Sequence, residues 1–431
     1  AAGSFNPIRA EVSRLNAEQP PTPLVEPLAP RSVWFWPVLG LAVLLSFPYY
    51  FSLETFFSHD DFAIIWFHND VPLWQTWRFF GTDVLTNDYR PLQSIIFAVL
   101  WDAFGTAVFP YNFLLVVIHI GNVILFGHLV HRLFENLALT LLSVILFATN
   151  WEYCDVVFWK GNYATAISWT FTLAAAAAFA GYRIDRRRAA YVASLVFFFF
   201  ALLSKEATIN VPPLLTLVGL IVPAAANGGG KELEPIDRRF PFSVKQLLNL
   251  AMILAPFYLM ALLYVVFHET AIRDVYGWLP KGYVFAGPGG WIRSLAHATT
   301  HWFTAPVSAA VGFLLPVRIH GQALLWLQQP GHFFVNYLIP LLALGTVILL
   351  RDRRLVFGLG WAAIAFFPAN LMQAPDYHTP RYYYGSLMGV AVFLAALLVM
   401  ADLAIVRRGQ LRERAMARVL DLGKQGIAIS G

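Results

Sequence analysis

Hydrophobic runs long enough to cross a bilayer recur from Val33 to Val406 and leave this chain few folds to choose from. A bilayer core takes about 20 apolar residues as a helix, and within it each backbone N–H and C=O must find its partner inside the segment. Runs at 33–51, 111–130, 137–148, 165–180, 190–203, 209–225, 247–267, 334–350, 355–368 and 386–406 predict an all-α polytopic bundle of about ten transmembrane helices. Apolar residues make up 58% of the chain and charged residues 13%, more apolar surface than a soluble chain can bury. The formal charge of +5 does not point to nucleic acid, because the Lys and Arg residues fall between the runs, as topology signals do. Membrane lipid is the expected surrounding. Cys154 stands alone, which excludes an internal disulfide. The first run sits behind a Pro-rich polar tail, so no cleavable leader is expected.

Basic clusters alternate with the runs. Arg9, Arg14 and Arg31, then Arg132, then Arg183 and Arg186 to Arg188, then Lys231, Arg238, Arg239 and Lys245, then Arg351 to Arg354, and last the segment after Arg407 fall on one side. By the positive-inside rule that side is the cytoplasm, and both termini lie there. This divides the chain into a cytoplasmic tail (1–32), a membrane module (33–226), a Gly-containing cytoplasmic linker (227–246), a second membrane module (247–406) with an outer loop (269–333), and a basic tail (407–431). The tail is expected to lie along the anionic inner leaflet. Two further apolar stretches, 91–109 and 291–316, would invert the pattern if they crossed, so they are read as helices lying in the outer interface. A twelve-helix chain is the alternative.

This topology collects polar clusters on the outer side: Asp60-Asp61, Asn87 to Pro91, Glu152 to Asn162, Ser204-Lys205-Glu206 and His378 to Tyr382. A carboxylate pair at the mouth of a membrane helix is costly near lipid and is a functional candidate for that reason. Mutual repulsion raises one pKa of such a pair, which suits a base working near neutral pH. The plainer reading is an Asx-type cap opening the next helix. Arg90, Lys205 and Arg381 could bind an anion, since Arg presents a planar fork to two oxygens. They could equally be an interfacial anchor, an ion-pair partner of Glu206 and an aromatic-stacked cation. Trp151 and Trp159 could stack on a ligand's face or anchor at the interface. His59 could support Asp60. Too few ligands gather for a metal, so none is expected. His119 and His128 fit buried, hydrogen-bonded positions in the second span.

These motifs, in this order, resemble those of the GT-C superfamily of membrane glycosyltransferases. The resemblance is nearest to the tetratricopeptide-containing O-mannosyltransferases, the protein O-mannosyltransferases and their bacterial relatives. It rests on Asp60-Asp61, Tyr89-Arg90-Pro91-Leu92, Leu203-Ser204-Lys205-Glu206-Ala207 and Arg381-Tyr382-Tyr383-Tyr384, and it runs from about residue 33 to about residue 405. The sequence departs from the pattern in the second outer loop. A His-Pro followed by Glu is usual there, and this chain has Asn150-Trp151-Glu152-Tyr153-Cys154-Asp155. No tetratricopeptide repeats follow the membrane part.

The resemblance implies inverting transfer of a sugar, hexosyl or mannosyl, from a polyprenyl-phosphate-linked donor to a hydroxyl of a protein, lipid or glycan on the outer face. It needs no cofactor. Asp60 or Asp61 is the implied base, with Asp60 preferred by the family pattern. Arg90, Lys205, Glu206, Arg381 and Tyr382 are the implied donor-binding residues, and Asp155 and Glu152 would bind sugar hydroxyls. A bacterial inner membrane is the expected location, with partner subunits unassigned. The competing readings are a catalytically degenerate scaffold subunit of a membrane complex and a transporter, whose polar site would lie near the bilayer midplane.

Overall fold

Every regular element of the computed structural model is helical among the described residues, which are 34–58, 60–69, 71–81, 89–150, 154–222, 244–268, 270, 333–370 and 380–428. Helices α1 (Phe35–Leu45), α2 (Asp61–Asn69), α3 (Pro91–Phe104), α4 (Val108–Phe134) and α5 (Leu137–Ala148) come first. Then follow α6 (Cys154–Phe158), α7 (Tyr163–Asp185), α8 (Arg188–Leu202) and α9 (Val211–Ile221). The last four are α10 (Val244–Phe267), α11 (Phe333–Leu350), α12 (Arg353–Asn370) and α13 (Tyr384–Ala428). Tight 3₁₀ turns at Phe47–Glu54, Leu73–Phe80, Lys160–Asn162, Glu206–Asn210 and Pro380–Tyr383 lead into or out of them.

Four stretches, Val108–Phe134, Lys160–Asp185, Val244–Phe267 and Tyr384–Val406, are long and apolar enough to cross a membrane. The first predicted span is a bent pair, Phe35–Leu45 and Phe47–Glu54, meeting at 47°. Its break falls before Pro48, which cannot donate to the ladder. Counted as one, the pair makes a fifth span. The expectation of about ten is not reached by this measure. The predicted third and fifth spans form helices of 12 and 15 residues, about 18 and 23 Å at helical rise, short of the bilayer core. The 91–109 stretch is a 14-residue helix that stops at Gly105, where φ is 54°. The 291–316 stretch and residues 227–243 of the linker lie outside the described residues, as does the N-terminal tail, while residues 244–246 of the linker open α10. The basic segment after Arg407 continues α13 as the same helix.

α4, α5, α7 and α13 pack around one core, with α12 against α13 and α8 against α7. A buried polar network ties three of them. Asn122 donates to the Ala166 carbonyl at 2.9 Å and to the Tyr384 hydroxyl at 3.1 Å, Thr170 donates to Asn122 at 2.7 Å, and His119 Nδ1 lies 3.0 Å from the same hydroxyl. Such links hold membrane helices where lipid supplies no hydrophobic drive between them. His119 is thus a structural residue, as its sequence position suggests. α12 and α13 approach through glycines. A Cβ on Gly389 would lie 2.4 Å from the Ala362 nitrogen, and one on Gly358 would lie 2.6 Å from the Phe393 nitrogen. α10 leaves Leu248, Met252, Leu262 and Leu263 exposed, a face suited to acyl chains.

The two ends of the bundle differ. At one, Arg132 pairs with Asp185, Arg183 donates to the Gly219 and Val222 carbonyls at 3.3 Å, and Arg353 reaches the Ile221 carbonyl at 3.4 Å. Two arginines there close the C-terminus of α9, where the helix dipole favours cations. These are the residues that the charge pattern places inside. At the opposite end of α4, Asn112 donates to the Leu53 and Thr55 carbonyls, and the predicted site segments gather. Reporter fusions after Arg187 and after Thr106 should therefore report opposite sides of the membrane. Finding both on one side would overturn the topology.

Candidate functional site

The described parts of the five segments predicted to lie outside meet here, and each is delivered by a helix end. Asp60 precedes α2, and its carbonyl accepts from Ile64 N–H at 2.9 Å, so it stands at the helix N-cap with its carboxylate exposed. Among the described residues none hydrogen-bonds to that carboxylate. Asp61 is the opposite case, fully buried, with Oδ2 accepting from Ser58 N–H at 2.9 Å and Oδ1 from Gly161 N–H at 2.6 Å. Burial pushes its carboxyl up, against the pull of the two N–H groups and the nearby Lys160 charge, while Asp60 pushes the same way as burial. The pair is therefore divided: one carboxylate is available to a ligand, and the other ties α2 to the turn before α7.

That turn carries what the sequence reading missed. Lys160, inside the Glu152 to Asn162 cluster, is fully buried. Its Nζ donates to the carbonyls of Thr55 at 2.9 Å and Phe56 at 3.1 Å and sits 5.2 Å from the Phe57 ring centroid. A charge directly before an apolar run was the available signal, the same one that marks Asp60-Asp61. Gln93 of α3 donates to the Gly161 carbonyl at 3.1 Å. On the other side of the turn, the Arg381 guanidinium lies 4.8 Å from the Trp159 ring. A Cβ on Gly161 would lie 3.0 Å from Trp159 Nε1 and 3.4 Å from Asp61 Oδ1, so this close approach admits only glycine without displacement.

Arg381 and Lys205 line one cleft of about 420 Å³, counted to its open mouth, with Thr165, Ser168, Trp169 and Thr172 of α7 and Thr208 and Asn210 of the turn before α9. Lys205 Nζ donates to Thr165 Oγ1 at 2.6 Å. Two cations among hydroxyls suit an anion carried on a polar, hydroxylated group. Tyr382 belongs to the same 3₁₀ turn as Arg381. Asp155 sits on α6, which packs on that turn, and its carbonyl accepts from Asn162 Nδ2 at 2.9 Å. Glu152, His59 and Trp151 lie outside the described residues.

Arg90 is corrected. Its fork engages Glu206, Nε to Oε2 at 3.0 Å and Nη2 to Oε1 at 2.8 Å, so the geometry that would hold two phosphate oxygens is spent inside the protein. Leu92 N–H also donates to the Leu203 carbonyl at 3.2 Å. The Tyr-Arg-Pro-Leu and Ser-Lys-Glu segments thus bind each other, with Glu206 as one of the ties. Burial alone would raise the Glu206 carboxyl, but the Arg90 charge and hydrogen bonds, with Lys205 adding to them, hold it well below the usual glutamate range. A depressed carboxyl contributes stability that is complete above its unfolded pKa and is lost as pH falls toward the folded value. Glu206→Gln should cost about 1–3 kcal/mol at neutral pH, the side chains being 22% and 26% exposed. Thermal unfolding of wild type and variant in nanodiscs should converge progressively as pH falls from 4.5 to about 2. A gap that persists there would show that the charge is not what holds the pair.

Among the described residues, no cluster of His, Cys, Asp or Glu could hold a metal ion. No family model and no curated protein matches the chain. Two solved structures align with most of it. One is the archaeal oligosaccharyltransferase AglB from Archaeoglobus fulgidus in complex with an inhibitory peptide and a dolichol-phosphate, at TM-score 0.46 and 15% identity, covering 88% of this chain and 51% of that one. The other is the Archaeoglobus fulgidus oligosaccharyltransferase in complex with Zn and sulfate, at 0.44 and 16%, covering 85% and 50%. The chain spans about half the length of these proteins, and likeness at this level assigns no role to any residue.

Proposed function

We propose that this chain is a GT-C-type membrane glycosyltransferase that moves a sugar, hexosyl or mannosyl, from a polyprenyl-phosphate donor to an acceptor hydroxyl on the outer face of a bacterial inner membrane. The observation that carries the reading is the cleft shared by Lys205 and Arg381, joined through Trp159 and Gly161 to the buried member of the acid pair. The motif resemblance supplies the reaction class. A lipid phosphate is a weakly basic leaving group and needs charge stabilisation rather than a proton, which two cations provide. An acceptor hydroxyl is a poor nucleophile and needs a base within reach. Asp60, exposed at the head of α2, is that base, and Asp61 orients it.

In the step, the acceptor oxygen bonds to the anomeric carbon from the face opposite the phosphate, and the bond from that carbon to the phosphate oxygen breaks. The electron pair leaves with the polyprenyl phosphate, held by Lys205 and Arg381, and the acceptor proton passes to Asp60. Configuration inverts. Asp155, beside the Arg381 turn, contacts sugar hydroxyls.

The test is turnover by the full chain in nanodiscs given radiolabelled polyprenyl-phosphate hexoses and a panel of peptide, lipid and glycan hydroxyl acceptors. Acceptor-dependent release of polyprenyl phosphate is expected. A chain that binds donor but releases none with any acceptor is the scaffold subunit of the competing reading.

A further inference from the structure

The turn Trp159-Lys160-Gly161 touches several parts of the site at once. Gly161 N–H holds Asp61, Lys160 Nζ holds the two carbonyls of the segment leading to Asp60-Asp61, Gln93 holds the Gly161 carbonyl, and the Trp159 ring carries Arg381. The acid pair and Arg381 of the cation cleft lie more than 300 residues apart in the chain, and this turn touches both.

We propose that the turn is the element that sets the acid pair against the donor cations, and that Lys160 is its positioning residue. Lys160 does not reach the cleft, whose lining excludes it. Its ammonium is spent on the carbonyls of Thr55 and Phe56, in the segment that leads into Asp60-Asp61. A buried cation costs free energy unless its donors are satisfied, so backbone carbonyls from the segment that carries the acids give it a built seat. Trp159, one residue away, gives the Arg381 guanidinium an aromatic face.

The inference rests on the proposed glycosyl transfer, and its effects separate from that reading. Losing Lys160 loosens the acids without touching the donor cations. A misplacement of about 1 Å costs on the order of 10²-fold in rate. Lys160→Met should lower kcat about 10- to 100-fold with the donor KM nearly unchanged. Trp159→Ala should instead raise the donor KM, since it removes the support of Arg381.

The pH profile gives a second readout. The charged and titratable groups facing Asp61 are Asp60 on its own helix, Lys160 on the turn and Tyr163 at the head of α7. α3, also packed on α2, brings Gln93, with Asp102 exposed near its far end and Arg90 committed to Glu206. Removing the one cation among them should push Asp61 further up, so the acid limb of activity moves to higher pH, and Lys160→Arg should restore it.

If wild type turns over and Asp60→Asn does not, but Lys160→Met keeps kcat and the acid limb, the positioning role is overturned while the glycosyltransferase reading stands. If wild type shows no turnover, the earlier reading fails first. Should Lys160→Met not accumulate, Gly161→Ala probes the same turn, because its methyl displaces Trp159 and crowds Asp61. A Gly161→Ala protein with wild-type kcat and donor KM would equally overturn the proposal.

Discussion

Asp60→Asn should lower acceptor-dependent release of polyprenyl phosphate by about 10²–10⁴-fold, the usual contribution of a positioned general base, and leave the protein folded and able to bind donor. The expectation follows from an asymmetry that neighbouring identical residues seldom show so plainly. Asp60 offers its carboxylate outward from the N-cap, and none of the described residues hydrogen-bonds to it, so its amide counterpart loses proton-accepting power and little else. Asp61 is fully buried with both oxygens accepting backbone N–H groups. An amide there turns one acceptor into a donor facing a donor, and a buried unsatisfied group costs about 1–3 kcal/mol. Asp61→Asn should therefore lower the unfolding temperature as well as the rate. Thermal unfolding and turnover measured on both variants separate the two roles. An active Asp60→Asn beside an inactive, stably folded Asp61→Asn would exchange them, and two fully active variants would remove the pair from the mechanism.

The sequence made the bundle legible because membrane insertion demands long apolar runs, and α4, α7, α10 and the start of α13 follow their predicted spans closely. The basic residues were legible for a related reason: a charge at a helix end must sit outside the acyl core, and Arg132, Arg183 and Arg353 share one end of the molecule. What the sequence could not reveal is which polar groups answer one another. Arg90 and Glu206 each look like ligand contacts alone, and they lie 116 residues apart, so only the fold discloses that they satisfy each other. Lys160 was hidden by its neighbourhood. Between Trp159 and an apolar span it reads as an interface residue, and its burial depends on carbonyls supplied by residues 55 and 56. The division of labour between Asp60 and Asp61 is likewise set by helix phase, which places one side chain outward and the next inward.

The second large effect is expected from the cleft. Lys205→Met and Arg381→Gln should each reduce turnover by about 10²–10³-fold, the scale seen when one preorganised charge-stabilising group is removed. The two cations hold the donor phosphate and hold it more strongly as charge grows on it, so their loss should raise the donor KM and also lower the rate as the glycosidic bond breaks. Arg381→Lys keeps a charge but gives up the planar fork and the Trp159 face 4.8 Å away, and it should fall between wild type and Arg381→Gln. Arg90→Gln provides the contrast. Its partner is Glu206, so it should lower the unfolding temperature without a comparable change in the donor's leaving-group dependence. The decisive comparison uses donors whose phosphate leaving groups differ in basicity. If Lys205 and Arg381 stabilise departing charge, their variants should become more sensitive to that basicity than wild type. Equal sensitivity in all three proteins would mean that the cleft binds donor without assisting its cleavage, and the chemistry would have to be sought at another face of the acid pair.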